Sequence, residues 1–98
     1  MELIPSVLQA IPGDGRTVYL YFNDGSVRKA DISDLIQPDT VFAPLRDRTV
    51  FTDRMTVMNG TVAWDLLGNR DPSRCIDLDP IAIYESSEQV LDPLAEAN

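Results

Sequence analysis

The sequence predicts a small single α+β domain of antiparallel β-hairpins with short helical turns and a C-terminal helix. Three features carry that expectation. The run Arg16 to Phe22 (Arg-Thr-Val-Tyr-Leu-Tyr-Phe) is dense in β-branched and aromatic side chains. Asn59-Gly60, between two apolar stretches, is the preferred two-residue hairpin loop, because both positions need φ > 0. Asp79-Pro80 places a helix-capping side chain before a proline suited to the first helical position.

In chain order, Leu3 to Ile11 is apolar and β-leaning, and Pro12-Gly13-Asp14-Gly15 ends it with a turn cluster. Period-two alternation in the next strand puts Val18, Leu20 and Phe22 on one face and Thr17, Tyr19 and Tyr21 on the other. Asn23-Asp24-Gly25-Ser26 turns the chain, and Val27 to Asp31 returns beside it. The register of this hairpin stays open, since a two-residue Asp24-Gly25 loop and a longer bulged loop both fit. Asp31 to Ile36 has the form of a capped short helix or 3₁₀ turn, with Asp31 or Ser33 as cap and Pro38 as stop. Val41 to Asp47 is a further turn whose Phe42 and Leu45 dock onto the core.

The second hairpin is specified twice over. An Asn59-Gly60 loop sets 58 opposite 61, 57 opposite 62, 56 opposite 63 and 55 opposite 64. Met55, Val57, Val62 and Trp64 then share one face, and Thr56, Met58, Thr61 and Ala63 the other, so turn chemistry and binary pattern agree. A polar loop, Asp65 to Arg74, leads to a short strand within Cys75 to Leu78. The helix behind Asp79-Pro80 carries Ile81, Ile83 and Tyr84, then Glu85 and Glu88, and Asp92-Pro93 caps one more turn. Residues 1–85 form the expected domain, with 86–98 an acidic C-terminal tail or helix extension.

The 98 residues fit one domain. Eight Lys+Arg against 16 Asp+Glu give a net charge of −8, and there is no histidine and one cysteine. Without histidine there is no Ser-His-Asp or Cys-His nucleophile pair and no imidazole-bound metal. A single cysteine excludes an internal disulfide and multi-cysteine metal cages. The charge argues against a general phosphate-backbone binder. Its excess is local: from Cys75 onward there are six acids and no base, whereas residues 1–74 hold ten acids and eight bases. No apolar run approaches a membrane span, no secretory signal opens the chain, and free Cys75 suits a reducing compartment, so a cytoplasmic location is expected.

Two sets of residues qualify as candidate sites. Trp64, Asp65, Asp77 and Asp79 would make a polar cleft beside an aromatic wall, able to hold a ligand or a hard cation. The bland alternative has Trp64 in the core, Asp79 capping a helix and Asp77 bracing Arg70 or Arg74, and the calcium-loop pattern is absent. Tyr19 and Tyr21, with Arg28 beside them, would form an exposed interaction surface if only one side of the sheet is covered. The alternative is that the acidic C-terminal helix lies over them through Ile81, Ile83 and Tyr84. Cys75 has no histidine base and is expected to act as a small buried hydrophobe.

The order Tyr21-Phe22-x-Asp24-Gly25, Asp31-Ile32, Phe42-x-Pro44-Leu45-Arg46-Asp47, Gly60-Thr61-Val62-x-Trp64 and Asp77-x-Asp79-Pro80 with Tyr84 resembles the bacterial family catalogued as domain of unknown function 2442. The resemblance spans roughly residues 3–85 and implies a small α+β fold built on hairpins, gene neighbourhoods like those of toxin–antitoxin pairs, and no established activity. Some members carry a following helix-turn-helix domain, which is not among these 98 residues, and the loop between Trp64 and Asp77 is longer than in the shortest members. The expected function is a non-catalytic protein-interaction module, the acidic member of a two-protein system, with a second protein or a second copy as partner. No catalytic residue, cofactor or metal is expected, and neither a membrane nor nucleic acid as partner. The alternatives are a small-molecule- or cation-binding domain using the Trp64–Asp79 region, or a regulatory nucleic-acid-associated protein using Arg46, Arg48, Arg54, Arg70 and Arg74.

Overall fold

Two antiparallel sheets share the core of the computed structural model, which describes residues 4–68 and 75–93. The larger sheet contains β1 (Val7–Pro12), β2 (Thr17–Phe22), β3 (Val27–Asp31) and, at its edge, β7 (Glu88–Val90), in the order β1-β2-β3-β7. The smaller has β4 (Met55–Met58), β5 (Thr61–Trp64) and β6 (Ile76–Asp77) in that order. Two 3₁₀ turns (Ser33–Leu35 and Ala43–Arg46) and two short helices, α1 (Arg48–Asp53) and α2 (Pro80–Ser86), complete the α+β fold. Among the described residues no helix is long and apolar enough to cross a membrane.

Local chemistry explains most of these elements. Gly15 at φ 61° closes the β1–β2 turn, where Gly13 N–H donates to the Thr17 carbonyl at 2.9 Å. Between β2 and β3, Phe22 N–H donates to Ser26 O and Gly25 N–H to Phe22 O, with Gly25 at φ 88°. This is a three-residue loop, Asn23-Asp24-Gly25, and it resolves the open register: Tyr21 faces Val27 and Leu20 faces Arg28. The second hairpin has the expected register, Met55 opposite Trp64 through Met58 opposite Thr61, across a loop with Asn59 at φ 55° and Gly60 at φ 77°. Asp79 accepts from Ile81 N–H at 3.0 Å and starts α2, while Asp47 accepts from Thr49 N–H at 2.9 Å and starts α1.

Val18, Leu20 and Phe22 are buried on the inner face of the larger sheet, with Val7, Ala30 and Ile32 around them. Val62 and Trp64 enter the same cluster from the smaller sheet, Leu45 and Phe51 from the second 3₁₀ turn and α1, and Ile83 from α2. Each large side chain buried this way contributes on the order of 1.5–3 kcal/mol. Phe51 and Trp64 stack with ring centroids 5.8 Å apart, and Trp64 Nε1 donates to the Phe51 carbonyl at 3.0 Å. The sheets also meet through the backbone, where Val7 N–H donates to Gly60 O at 2.8 Å.

Two details depart from the sequence expectation. α1 was not foreseen, and it supplies Phe51 to the core. α2 stops at Ser86, and within the segment expected as a tail or helix extension Glu88–Val90 pairs with β3 as an edge strand of the larger sheet. Asp92 accepts a hydrogen bond from Tyr21 OH at 2.6 Å, and the turn expected behind Asp92-Pro93 runs into residues outside the described ones. The expected brace on Arg70 or Arg74, and residues 94–98 of the acidic end, lie outside the described residues.

Candidate interaction surface

The outer face of the larger sheet follows from strand register. Side chains alternate across a strand, so the residues opposite buried Val18 and Leu20 face inward and their neighbours face outward. Outward rows are Ile11, Tyr19, Lys29 and Glu88, then Gln9, Tyr21, Val27 and Val90. Tyr19, Tyr21, Ile11, Val27 and Val90 are all half-buried. One extra residue in β1, between Val7 opposite Phe22 and Gln9 opposite Tyr21, bulges the strand, and that residue, Leu8, is 65% exposed. The face is therefore aromatic and aliphatic at its centre. Lys29 Nζ lies 5.8 Å from the Tyr19 ring centroid, and Asp31, Glu88 and Asp92 stand nearby.

Both tyrosines are fixed in place. A Cβ on Gly13 would come within 2.5 Å of Thr17 Oγ1 and 2.9 Å of the Tyr19 ring, so the ring lies against the β1–β2 turn because that residue is glycine. Tyr21 is tied to Asp92 across the end of β7. Rigid aromatic side chains lose little conformational freedom on binding, which suits them to interface centres.

The structure separates Arg28 from these tyrosines. With the three-residue loop, Arg28 lies opposite Leu20 and points to the inner face. A two-residue Asp24-Gly25 loop would have set it opposite Tyr21, since a one-residue slip flips every side chain. Its guanidinium instead lies 3.9 Å from the Tyr84 ring centroid and donates to Ser87 O at 3.1 Å, while its buried Nε has no hydrogen-bond partner. Tyr84 also packs edge-on against Phe22 at 4.9 Å and donates to Asp24 Oδ2 at 2.6 Å. Helix α2 thus packs on the inner face through Ile83 and Tyr84, and not over Tyr19 and Tyr21 as the alternative expected.

Among the described residues, the Trp64–Asp79 set is spread over different surroundings. Trp64 is fully buried, and Asp65, 7% exposed, accepts from Gly68 N–H at 2.9 Å and shapes the start of its loop. Asp77 is exposed on β6, and Asp79 is occupied as the cap of α2. The groove beside Asp79, about 290 Å³, is lined mostly by apolar Leu35, Leu78, Ala82 and Ile83. Cys75 is half-buried with its Sγ 3.5 Å from Met58 Sδ.

Arg16 was not singled out from the sequence, and Arg48 only as one of five arginines for nucleic acid, yet the fold brings both over the Phe51 ring, at 5.6 and 5.3 Å from its centroid. Their meeting depends on a turn and a helix start more than 30 residues apart, which no local pattern announces. The chain matches no family model, no curated protein and no solved structure.

Proposed function

We propose that this chain is a non-catalytic protein-interaction module that engages its partner through the outer face of the four-stranded sheet. One observation carries the reading: Tyr19 and Tyr21 stand on a half-exposed apolar face while α2 packs on the opposite side. Apolar sheet faces are normally covered, and Tyr-centred patches are typical of interface cores. The partner is a second protein or a second copy of the chain, in a reducing, cytoplasmic setting. The resemblance to domain of unknown function 2442 points the same way, towards membership of a two-protein bacterial system.

Site-specific photo-crosslinking in the native host tests this. A crosslinker at Tyr19 is expected to give one discrete adduct, whose mass distinguishes homodimer from heteromer, and the same group at exposed Ile81 of α2 gives none. Equal adducts at both positions, or none at Tyr19, would overturn the assignment.

A further inference from the structure

Two arginines from distant stretches, Arg16 and Arg48, converge where the β1–β2 turn meets the start of α1, beside the backbone of Arg46. Arg16 Nε donates to Leu45 O at 2.9 Å, its Nη1 to Gly15 O at 3.3 Å, and its Nη2 to Arg46 O. Arg48 Nη1 donates to the same Gly15 carbonyl, and its Nη2 to Gly13 O at 2.9 Å. Both guanidiniums lie over buried Phe51, whose ring gives them an apolar floor. Arg46 is exposed next to them.

Every one of these acceptors is a neutral carbonyl. Asp14 and Asp47 are neighbours in sequence, but Asp47 is turned to Thr49 N–H. Among the described residues no carboxylate lies within ion-pair distance of the three guanidiniums. Two like charges are therefore held on one shared oxygen, an arrangement that a counter-anion stabilises. Each guanidinium has five N–H donors, so Arg16 and Arg48 keep donors available after their carbonyl bonds, and exposed Arg46 adjoins them in the chain. The carbonyl bonds fix the forks in advance, which reduces the ordering cost of binding.

We propose that Arg16, Arg46 and Arg48 form a receptor for one compact oxyanion of the phosphate class. A planar carboxylate presents a single edge, whereas a tetrahedral group can offer separate oxygens to two forks carried by different elements. Three cations on a chain of net charge −8 do not make a track for a polyanion. The site uses different residues from the tyrosine face and stands or falls separately from it.

The test is titration with inorganic phosphate and, separately, free O-phosphoserine, with sodium chloride at matched ionic strength. Concentrations stay below about 20 mM, since kosmotropic anions at high concentration stabilise any fold. Either ligand is expected to move the backbone amide resonances of Gly13, Gly15 and Arg48. Thermal midpoints should rise by roughly 6–10 °C at ten times the dissociation constant. The stronger of the two ligands identifies the source as the free ion or a phosphate monoester. Arg46→Ala, which removes no hydrogen bond seen here, should weaken binding several-fold, and Arg46→Ala with Arg48→Gln should abolish it. A response no larger than that to chloride, amide shifts centred elsewhere, or binding unchanged in Arg46→Ala would overturn the proposal. Should the double variant fail to fold, the single variant and the map of shifted amides decide.

Discussion

Asp24, at the tip of the first hairpin, is exposed yet receives three hydrogen bonds: from Ser26 N–H at 2.8 Å, Ser26 Oγ at 2.6 Å and Tyr84 OH at 2.6 Å. They favour the carboxylate and lower its pKa from the usual 3.8 to about 2, with the Ser26 hydroxyl the largest cause and Tyr84 next. Because the folded-state value lies below the unfolded one, the stabilisation is complete above pH 3.8 and fades as pH falls towards about 2. Carboxyl-carbon NMR titration should place the Asp24 midpoint near 2 and raise it in Ser26→Ala, with a smaller rise in Tyr84→Phe; a midpoint unmoved in both variants contradicts the assignment. At the other end of the burial scale, Trp64 fills the core and satisfies the Phe51 carbonyl. Trp64→Phe keeps an aromatic ring but leaves a cavity and a buried acceptor without its donor, so chemical denaturation should show a loss of about 2–4 kcal/mol. The bland readings of Trp64 as core and Asp79 as cap were legible in sequence because each rests on one residue's chemistry. Arg28 was not, since the face it occupies depends on a register one residue away from the alternative.

Among the elements, the second hairpin was fully legible because two independent constraints, the Asn59-Gly60 loop and the apolar alternation of its strands, select one register. The first hairpin offers Asp24-Gly25 to two loop types, and only packing chooses between them. Helix α1 spans six residues, of which Thr49, Val50, Phe51 and Thr52 are modest helix formers, so its existence rests on the Asp47 cap and on burial of Phe51. Strand β7 has three residues, Glu-Gln-Val, with little strand character of their own, and it exists because β3 offers an edge. Elements held by tertiary contacts leave a weak local trace. For the hairpin that is locally encoded, Gly60→Ala is a direct test. The substitution forces an alanine to φ 77° and sets its Cβ 2.8 Å from Ser6 Oγ, a side chain on the segment entering β1. Urea unfolding should show a loss of about 1–2 kcal/mol with an unchanged slope. Gly25, at φ 88° with open space where a Cβ would go, should cost less when changed to alanine, because backbone strain acts there without a clash.

For the whole molecule, the alternation that puts Tyr19 and Tyr21 on one face was readable from seven residues, but whether anything covers that face was not. Cover depends on where residues 80–93 travel, and that path is set by the reversal at Ser87, which sends α2 to the inner face and β7 to the edge of the outer one. The same path binds the acidic end of the chain into the fold as far as Pro93, so the acids after Cys75 are partly structural: Asp79 caps a helix and Asp92 holds Tyr21. A three-stranded sheet with strands of four, four and two residues has too little apolar surface to stand alone. Its Val62 and Trp64 are stable only against Leu20, Phe22 and their neighbours from the larger sheet, with the Val7–Gly60 backbone bond joining the two. One core shared in this way implies one cooperative transition. The single tryptophan belongs to the smaller sheet, so its fluorescence reports that sheet alone, while far-UV circular dichroism reports the backbone of both. The two urea-unfolding curves should superimpose, and they should shift together when Leu20→Ala, a larger-sheet substitution, removes about 2–5 kcal/mol. A Trp64 transition that stays in place while the dichroism midpoint falls would mean that the sheets unfold separately and that the shared core does not couple them.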